Sequence, residues 1–280
     1  MAFTDSLGDR MKSYEFPDTQ RKAFKGQPVI ARLDGKGFHT FCKGLKKPFD
    51  ERLSKLMRRV MGSLVERFGA NLGYTQSDEI TLVWFVDSTS VSEYVFDGRF
   101  QKMDSLLAAY ASSVFNRELQ TFIPEKGACT EIFDCRSFVV PNLLEAYHAV
   151  LWRQQDCTKN AISMAAQSLF SHKSLQGMNG PSMIERMQVE RGISFAVDYP
   201  IEFRIGTFAR RVKVKRPFDA ETIEKLRAIG RGFDPAQEVE RSETQFLSFL
   251  LRDLDNPVEF LFKGCPPMFK ADAGSFQKHD

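Results

Sequence analysis

The feature that most constrains the fold is the order of strand-like and helix-like segments between residues 29 and 139. The run Val29–Leu33 predicts a buried strand, and apolar residues then recur at helical spacing from Leu53 to Phe68. Two β-rich runs flank QSDE, which predicts a hairpin. A helix from about Phe100 to Phe122 and a strand within ACTEIFDCRSFVV follow. The order β-α-β-β-α-β predicts an α+β fold with a split βαβ, or ferredoxin-like, core.

Capping signals give bounds to the first of these helices. Asp50 is a favourable N-cap residue, and Gly69 is a favourable residue for ending the helix. Elsewhere the pattern predicts a short helix around 9–15, a long one from Pro141 to about Ser171, and two more at Ala220–Ile229 and Glu243–Arg252.

Two acidic residues of the predicted core are candidate metal ligands. Asp34 ends the first strand, and Asp78 lies in the hairpin turn. Each alone is more typical of a turn residue. The split βαβ topology, however, places the first strand beside the hairpin, so we expect the two carboxylates to lie close together. Paired carboxylates without a histidine or thiol cluster favour Mg²⁺, as in two-metal phosphoryl-transfer sites.

The glycines after Asp34 agree with such a site. Gly35 and Gly37 would let backbone amides approach a triphosphate closely. The chain has no G-x-x-x-x-G-K-[ST] motif, so it is not a P-loop enzyme. Lys43, Lys46 and Lys47 precede the first helix, where they are either a solvated cluster or a phosphate contact.

Two further patterns allow alternative interpretations. Asp156, Asn160, Ser163 and Gln167 form a polar stripe on the long predicted helix, and we favour a buried polar lining over a solvent-facing surface. The basic run Arg204–Arg216 predicts a strand that either contacts RNA phosphates or is a charged edge strand. Neither possibility is favoured for that run.

Composition and charge narrow the class of protein. Net charge is +3 over 280 residues, which permits a polyanionic partner without requiring one. Five cysteines without a C-x-x-C pair argue against a disulfide framework or a zinc knuckle, and favour a reducing compartment. The polar N-terminus does not resemble a secretory signal, and no apolar run reaches the ~20 residues that a membrane span needs. We therefore expect a cytoplasmic protein with no membrane segment.

Several motifs resemble the tRNA-His guanylyltransferase family. RLDGKGFHTF, KPFD, YTQSDE, FDCR and WRQQDCTKNAISMAAQSLFSH match that family in order and spacing. SLQGMNGPSMIERM and GISFAVDYPIEFRIGTFARR resemble its guanylyltransferase-like branch. The resemblance covers about residues 10–216. It implies a polymerase palm-like catalytic region at 1–216, with additional helices, and leaves 217–280 as a C-terminal extension of unknown role.

The resemblance implies a Mg²⁺-dependent nucleotidyltransferase that adds nucleotides to the 5′ end of tRNA in the 3′-5′ direction. ATP first adenylylates the 5′-phosphate, and the 3′-hydroxyl of GTP or another nucleoside triphosphate then displaces AMP. It also implies two Mg²⁺ ions and a homotetramer whose tRNA spans subunits.

The family motifs can be carried over position by position. They imply metal binding by Asp34, Asp78 and the Gly35 carbonyl, with Glu79 as a further catalytic residue. Nucleotide contacts are implied for Asp34, Gly35, Lys36, Gly37, Phe38, His39, Lys47, Asp50, Ser77, Asp78 and Asn160. Contacts with tRNA are implied for Arg136, Lys159, Arg210 and Arg211.

One departure bears on the substrate. The eukaryotic enzymes have His-Ile-Asn-Asn after Asp-Cys, whereas this chain has Thr158, Lys159, Asn160 and Ala161. The guanylyltransferase-like branch, which is associated with template-dependent tRNA repair, commonly shows this change. We therefore favour 5′-end nucleotide addition in general, with tRNA-His as one possible substrate.

Two rival functions share the predicted topology. A nucleotidyl cyclase would use similar carboxylates, but the chain lacks the Gly-Gly-Asp/Glu-Glu-Phe turn of diguanylate synthases. A non-catalytic RNA-binding module would need aromatic residues for stacking on its central strands. Trp84 and Phe85 fit a core more simply, and the aspartates would repel RNA.

Overall fold

The computed structural model describes residues 6–230, 234, 238–274 and 276–279. Residues 1–5 of the predicted catalytic region, and 231–233, 235–237, 275 and 280 of the predicted extension, lie outside the described residues. The strands are β1 (Val29–Gly35), β2 (Leu72–Gln76), β3 (Glu79–Trp84), β4 (Phe133–Val139), β5 (Thr207–Arg216), β6 (Val239–Ser248) and β7 (Gln277–His279). The helices are α1 (Ser6–Thr19), α2 (Phe38–Phe41), α3 (Glu51–Phe68), α4 (Phe100–Phe122), α5 (Leu143–Leu169), α6 (His172–Leu175), α7 (Gly180–Arg191), α8 (Ile201–Ile205), α9 (Ala220–Ala228) and α10 (Pro257–Phe262).

One antiparallel sheet organises the molecule. Its strand order is β4-β1-β3-β2-β5-β6-β7. The first four strands, with α3 after β1 and α4 after β3, confirm the predicted β-α-β-β-α-β core. In this order β1 lies between β4 and β3, so the end of β1 is beside the hairpin turn.

The helix α3 illustrates how local sequence defines an element. Asp50 caps it by accepting a hydrogen bond from the Arg52 amide, and Gly69 ends it in the left-handed conformation at φ 61°. Between these caps the buried side chains recur at helical spacing, among them Leu56, Val60 and Leu64. The capping predictions are therefore confirmed.

The two faces of the sheet bury different layers. On what we call the α3/α4 face, Val29, Ala31 and Leu33 pack in a core with α3 and α4. On the opposite side, the α5 face, Ile30 packs with side chains of α5, α10 and the segment 247–262. Because strand side chains alternate, Arg32 and Asp34 share the α5 face with Ile30.

The structure corrects the predictions for the C-terminal third. The helix predicted at Glu243–Arg252 is wrong, because those residues belong mostly to β6, which pairs with β5 over its whole length. The edge-strand alternative for the basic run is confirmed in part, since β5 pairs with β2 only at 207–209, and among the described strands its basic stretch, 210–216, pairs with β6 alone. The start of that run, Arg204 and Ile205, is helical and ends α8. Pairing partners distant in sequence decided these states, and local pattern did not encode them.

Other expectations concern the chain as a whole. The sheet continues from β5 to β6 across the proposed boundary at 216/217, and that division stays a prediction. All five cysteines are free thiols. Within the described ranges, no helix is both long enough and apolar enough to cross a bilayer.

Candidate active site

Asp34 and Asp78 meet at one end of the sheet. Asp34 is paired with Glu79 across β1 and β3, and the Gly35 amide donates to the Asp78 carbonyl at 3.2 Å. Burial raises the pKa of Asp78, and the negative charges of Asp34 and Glu79 add to that rise. The topology therefore brings together the two carboxylates that the sequence singled out.

The hairpin turn holds Asp78 in place through Ser77. Ser77 has a φ of 50°, in the left-handed region that only glycine enters without strain. In this conformation the Ser77 hydroxyl donates to Asp78 Oδ1 at 3.0 Å. A costly backbone conformation thus serves the orientation of a carboxylate.

Glu79 has a partner that the sequence analysis missed. Arg153 on α5 donates from Nε to Glu79 Oε1 at 2.6 Å and from Nη2 to Oε2 at 2.7 Å. Both side chains are about nine-tenths buried, and Arg153 also donates to Asp156 at 2.9 Å. Both oxygens of Glu79 are engaged, so it supports the site through α5. The only sequence signal was the Arg153–Asp156 spacing on one helix, which does not reveal Glu79.

A cavity of about 890 Å³ opens beside these carboxylates. This volume is within the usual range for small-molecule sites. Its walls come from the hairpin turn, the loop before α3, α5 and α8. The ionisable and polar residues that line it include Asp34, His39, Lys43, Lys46, Lys47, Asp50, Ser77, Asp78, Glu79, Arg153, Asn160, Ser163, Gln167 and Glu202. Carboxylates at the end of the sheet thus share the cavity with lysines of the loop before α3.

Asp50 organises the loop that carries those lysines. Its carboxylate accepts from the Lys46 amide at 3.1 Å, from the Arg52 amide at 3.1 Å, and from the Arg52 guanidinium at 3.0 and 2.8 Å. The hydrogen bonds from the Arg52 side chain lower the pKa of Asp50 to about 2. Asp50 was predicted to contact phosphate together with Lys47. Its contacts in the structure are those of a cap that positions Lys46 and Lys47.

The β1–α2 loop is built differently from the expectation. A Cβ on Gly35 would lie 2.3 Å from the Phe38 ring, so Gly35 makes room for that ring. The amides of Gly35 and Lys36 donate to the carbonyls of Asp78 and Ile132, and are not directed at the cavity. Gly37 has a φ of 74° and starts α2. Glycine is therefore needed here for turn geometry, and the expected amide approach is wrong for Gly35, whose amide is bonded to Asp78. For Gly37 it stays a prediction.

The side chains of this loop divide between core and cavity. Phe38 is buried, with its ring centroid 5.3 Å from those of Phe41, Phe115 and Phe133. Lys36 and His39 are exposed, and His39 lines the cavity. The Phe38 ring therefore belongs to the core, and the nucleotide contact implied for Phe38 stays a prediction.

The polar stripe on α5 lies at the cavity. Asn160, Ser163 and Gln167 line it, but Asn160 and Gln167 are exposed, so the expected buried lining is wrong. Asp156 accepts hydrogen bonds from Arg153 and, at 3.4 Å, from Asn160. The apolar side of α5 packs against α7 and α8, and the stripe beside it borders the cavity.

The predicted tRNA-binding residues lie in different environments. Arg136 and Lys159 are exposed, and Arg136 forms an ion pair with Asp134 at 3.0 Å. Arg211 is exposed and donates to the Ser242 hydroxyl at 2.9 Å. Arg210 is only 6% exposed, lies over the Phe260 ring at 4.8 Å and donates to the Cys265 carbonyl. Its guanidinium is thus engaged inside the protein.

The donor set at the sheet end can be tested against Mg²⁺. Among the described residues, no group of three or more His, Cys, Asp or Glu side chains is arranged to hold a metal ion. Asp34 and Asp78 supply two carboxylates, and Mg²⁺ commonly uses one or two carboxylates with substrate phosphates and water. The site fits Mg²⁺ that binds together with a nucleotide.

Comparison with known proteins agrees with this geometry. The family described as Thg1, tRNAHis guanylyltransferase, matches residues 8–141. An uncharacterized protein of Acanthamoeba polyphaga mimivirus is 28% identical over 237 residues, which cover 75% of this chain and 79% of that protein. The tRNA(His) guanylyltransferase of Schizosaccharomyces pombe is 33% identical over 137 residues. That match covers 47% of this chain and half the length of the relative.

A solved structure extends the likeness beyond the matched family segment. It is a bacterial tRNA(His) guanylyltransferase (Thg1)-like protein in complex with ATP, with a TM-score of 0.68 and 36% sequence identity. The alignment covers 74% of this chain and 87% of that one. The matched family segment, the identity to this solved structure and the topology of the sheet all agree. The chain therefore belongs to the tRNAHis guanylyltransferase family, whose members are nucleotidyltransferases with a palm-like fold.

Proposed function

We propose that this protein is a Mg²⁺-dependent nucleotidyltransferase that adds nucleotides to the 5′ end of tRNA in the 3′-5′ direction. The observation that carries the proposal is the convergence of Asp34 and Asp78 at a cavity whose other wall contains Lys43, Lys46 and Lys47. Carboxylates beside lysines in one cavity suit a ligand that combines a divalent cation with phosphates.

The reaction has two phosphoryl-transfer steps. In the first, an oxygen of the RNA 5′-phosphate attacks the α-phosphorus of ATP, and pyrophosphate leaves. In the second, the 3′-hydroxyl of GTP or another nucleoside triphosphate attacks the activated 5′-phosphorus. AMP then leaves and the hydroxyl proton is released. The complex of the bacterial relative with ATP supports nucleotide binding by this protein.

Each part of the site has a role in that chemistry. Asp34, Asp78 and the Gly35 carbonyl would hold Mg²⁺, which would neutralise phosphate charge and activate the attacking oxygen. The Arg153–Glu79 pair supports the start of β3, directly after Asp78. Lys47, positioned by the Asp50 cap, is a phosphate contact, while His39, Ser77 and Asn160 line the space for the nucleotide.

The substrate range follows from the guanylyltransferase-like character of the chain. Thr158 and Ala161 replace the histidine and the second asparagine of the eukaryotic motif. The 36% identity to a bacterial guanylyltransferase-like protein supports placing the chain with that branch. We therefore favour template-dependent 5′-end repair of truncated tRNA, with guanosine addition to tRNA-His as one case of it.

The family resemblance also supports assembly and localisation. We propose a homotetramer in which one tRNA spans more than one subunit, and a cytoplasmic site of action. Arg136, Lys159 and Arg211 are exposed and available to contact the tRNA backbone.

The decisive experiment replaces each aspartate by its uncharged isostere. Asp34→Asn and Asp78→Asn are incubated with 5′-monophosphorylated, 5′-truncated tRNA, ATP, all four nucleoside triphosphates and Mg²⁺. We expect each to reduce nucleotide addition by roughly 100-fold or more, with an unchanged melting temperature. Asp87→Asn is the matched control, because Asp87 is an exposed loop aspartate whose carboxylate accepts from the amide and hydroxyl of Thr89.

Three outcomes would count against the proposal. Retention of more than about a tenth of the activity by either variant would remove the two carboxylates from the mechanism. A cyclic product from GTP alone would favour the cyclase alternative. Tight, Mg²⁺-independent RNA binding without addition would favour the binding-module alternative. Comparing tRNA-His that lacks its extra guanosine with 5′-shortened tRNAs separates guanylylation from repair.

A further inference from the structure

An exposed tryptophan lies next to the carboxylates. Trp152 on α5 is 55% exposed, whereas Trp84, the other tryptophan of the sequence, is 3% exposed and packs in the core. Tryptophan is usually well buried, since its large ring has much to gain from leaving water. An exposed indole beside a reaction centre is therefore a candidate binding surface for a ligand.

Two arginines lie beside this indole, and a third lies on the same face of the sheet. The Arg153 guanidinium lies 4.5 Å from the Trp152 ring centroid, and that of Arg32 lies 5.7 Å away. Arg136 is directly opposite Arg32 in the β1–β4 register, so the two share the α5 face of the sheet. Within the described residues, the Arg32 guanidinium makes no hydrogen bond or ion pair. We call Trp152, Arg32 and Arg136 the Trp152 platform.

The position of the platform relative to the cavity is informative. Arg153 contacts both Trp152 and Glu79, so the indole is one side chain away from the acidic end of the sheet. Among the described residues of α5, those that line the cavity begin at Arg153, and Trp152 lies just outside it. The platform is on the β1–β4 side of Asp34, whereas the lysines of the cavity belong to the loop before α3.

A transfer reaction needs its two substrates on different sides of the reacting phosphorus. If the nucleotide occupies the cavity, the RNA end must approach from the side that the platform borders. An aromatic ring flanked by arginines has the chemistry of a nucleic-acid end site, because bases stack on indole and guanidinium groups pair with phosphates. A protein partner would instead require a broad apolar patch, and this surface offers one ring among charges.

We propose that the Trp152 platform binds the end of the RNA substrate, with a terminal base stacked on Trp152 and the adjacent phosphates paired with Arg32 and Arg136. This inference rests on the proposed function, and it names a binding element for the RNA that is separate from the nucleotide cavity. Arg153 fixes the indole and the Glu79 carboxylate relative to each other.

Fluorescence gives a direct test, since the protein has only two tryptophans. Full-length protein is titrated with 5′-monophosphorylated, 5′-truncated tRNA and, separately, with GTP and Mg²⁺. We expect the RNA to quench the emission of the exposed indole, GTP to leave it unchanged, and Trp152→Phe to lose the quenched component. Repeating the titration with Asp34→Asn separates binding from turnover, and the quench should persist.

Kinetics give the second test. We expect Trp152→Ala to raise KM for the truncated tRNA by about 10-fold, with KM for the nucleoside triphosphate and kcat nearly unchanged. Trp152→Tyr should restore most of the affinity, because the phenol ring also stacks. Phe24→Ala is the matched control, since Phe24 is likewise an exposed ring beside a cation, Lys22, at 5.6 Å, and precedes the opposite end of β1.

The results separate this inference from the proposed function. Quenching by RNA without nucleotide addition by the wild-type protein would support the platform and overturn the proposed function. Addition by wild type and Trp152→Ala with equal KM for RNA would overturn the platform alone. The platform would also be overturned if acrylamide cannot reach Trp152 in the free protein while Trp152→Ala dissociates the assembly, because the indole would then lie between subunits.

Discussion

The two faces of one strand differ in what their side chains do. On the α3/α4 face, Ala31 and Leu33 of β1 are fully buried among apolar side chains. On the α5 face, the alternating positions Arg32 and Asp34 lie among charged residues at the same end of the strand. Strand alternation therefore lets one segment contribute stability on one face and chemistry on the other. Substitutions on the two faces should have separable effects.

The largest effect on stability is expected on the α3/α4 face. Phe115 of α4 is fully buried, with its ring centroid 5.3 Å from that of Phe38 and 5.6 Å from that of Phe41. We expect Phe115→Ala to lower the free energy of unfolding by about 3–5 kcal/mol, because it leaves a cavity. Urea denaturation measures this change.

Leu106→Ala is the matched control for that substitution. Leu106 is on the same helix but 42% exposed, and its truncation should cost less than about 0.5 kcal/mol. The assignment of stability to one face and chemistry to the other would be contradicted by either of two results. Phe115→Ala could retain wild-type stability, or the folded variant could lose nucleotide addition at saturating substrate.

The next effect is expected at the buried pair on the α5 face. Arg153→Met leaves the Glu79 carboxylate without its bidentate partner, and we expect a loss of about 3 kcal/mol. The double variant Arg153→Met with Glu79→Gln should regain part of that stability, because the uncompensated charge is removed, but not the activity. Denaturation and the nucleotide-addition assay are measured on both variants.

Arg117→Met is the control, since Arg117 is exposed and pairs with Glu118 at the surface. A surface pair contributes little, so that variant should stay close to wild type. Full activity in the double variant would show that the pair is purely structural and would weaken the distinction between the faces.

The smallest effect on stability is expected at Asp50, which caps α3 and also lines the cavity. Asp50→Ala should cost about 1–2 kcal/mol at pH 7, because the carboxylate no longer caps the helix or holds the Lys46 amide. Asp50→Asn should cost less, since an amide oxygen can also cap. Urea denaturation at pH 7 and at lower pH measures both changes.

The pH dependence of this site has a defined sign. The pKa of Asp50 is about 2 in the folded protein, below its ordinary value of 3.8, because of hydrogen bonds from Arg52. The carboxylate therefore contributes stability that is complete above about pH 4 and is lost as pH falls towards 2. Asp50→Asn should show a flatter loss of stability over that interval. An identical loss in the wild type and in that variant would exclude Asp50 as its source.

Much of the fold and part of the site could be predicted from the sequence. The helix predicted at about 100–122 has those bounds in the structure, and the β-α-β-β-α-β order is confirmed. The convergence of Asp34 with the hairpin followed from that order. By contrast, residues 243–248 of β6 were predicted to belong to a helix, and the role of Arg153 was missed. Each of those features depends on a partner that is distant in the sequence.

The sequence by itself determined the features that depend on residues close together in the chain. These are the apolar periodicity of α3 and α4, the caps at Asp50 and Gly69, and the alternation that places Arg32 and Asp34 on one face. Only the tertiary structure decided the strand state of β6, the Arg153–Glu79 pair, the burial that raises the pKa of Asp78 and the cavity beside it. The physical reason is that caps and periodicity act within a few residues. Pairing, burial and electrostatic coupling act between segments that meet only when the whole chain folds.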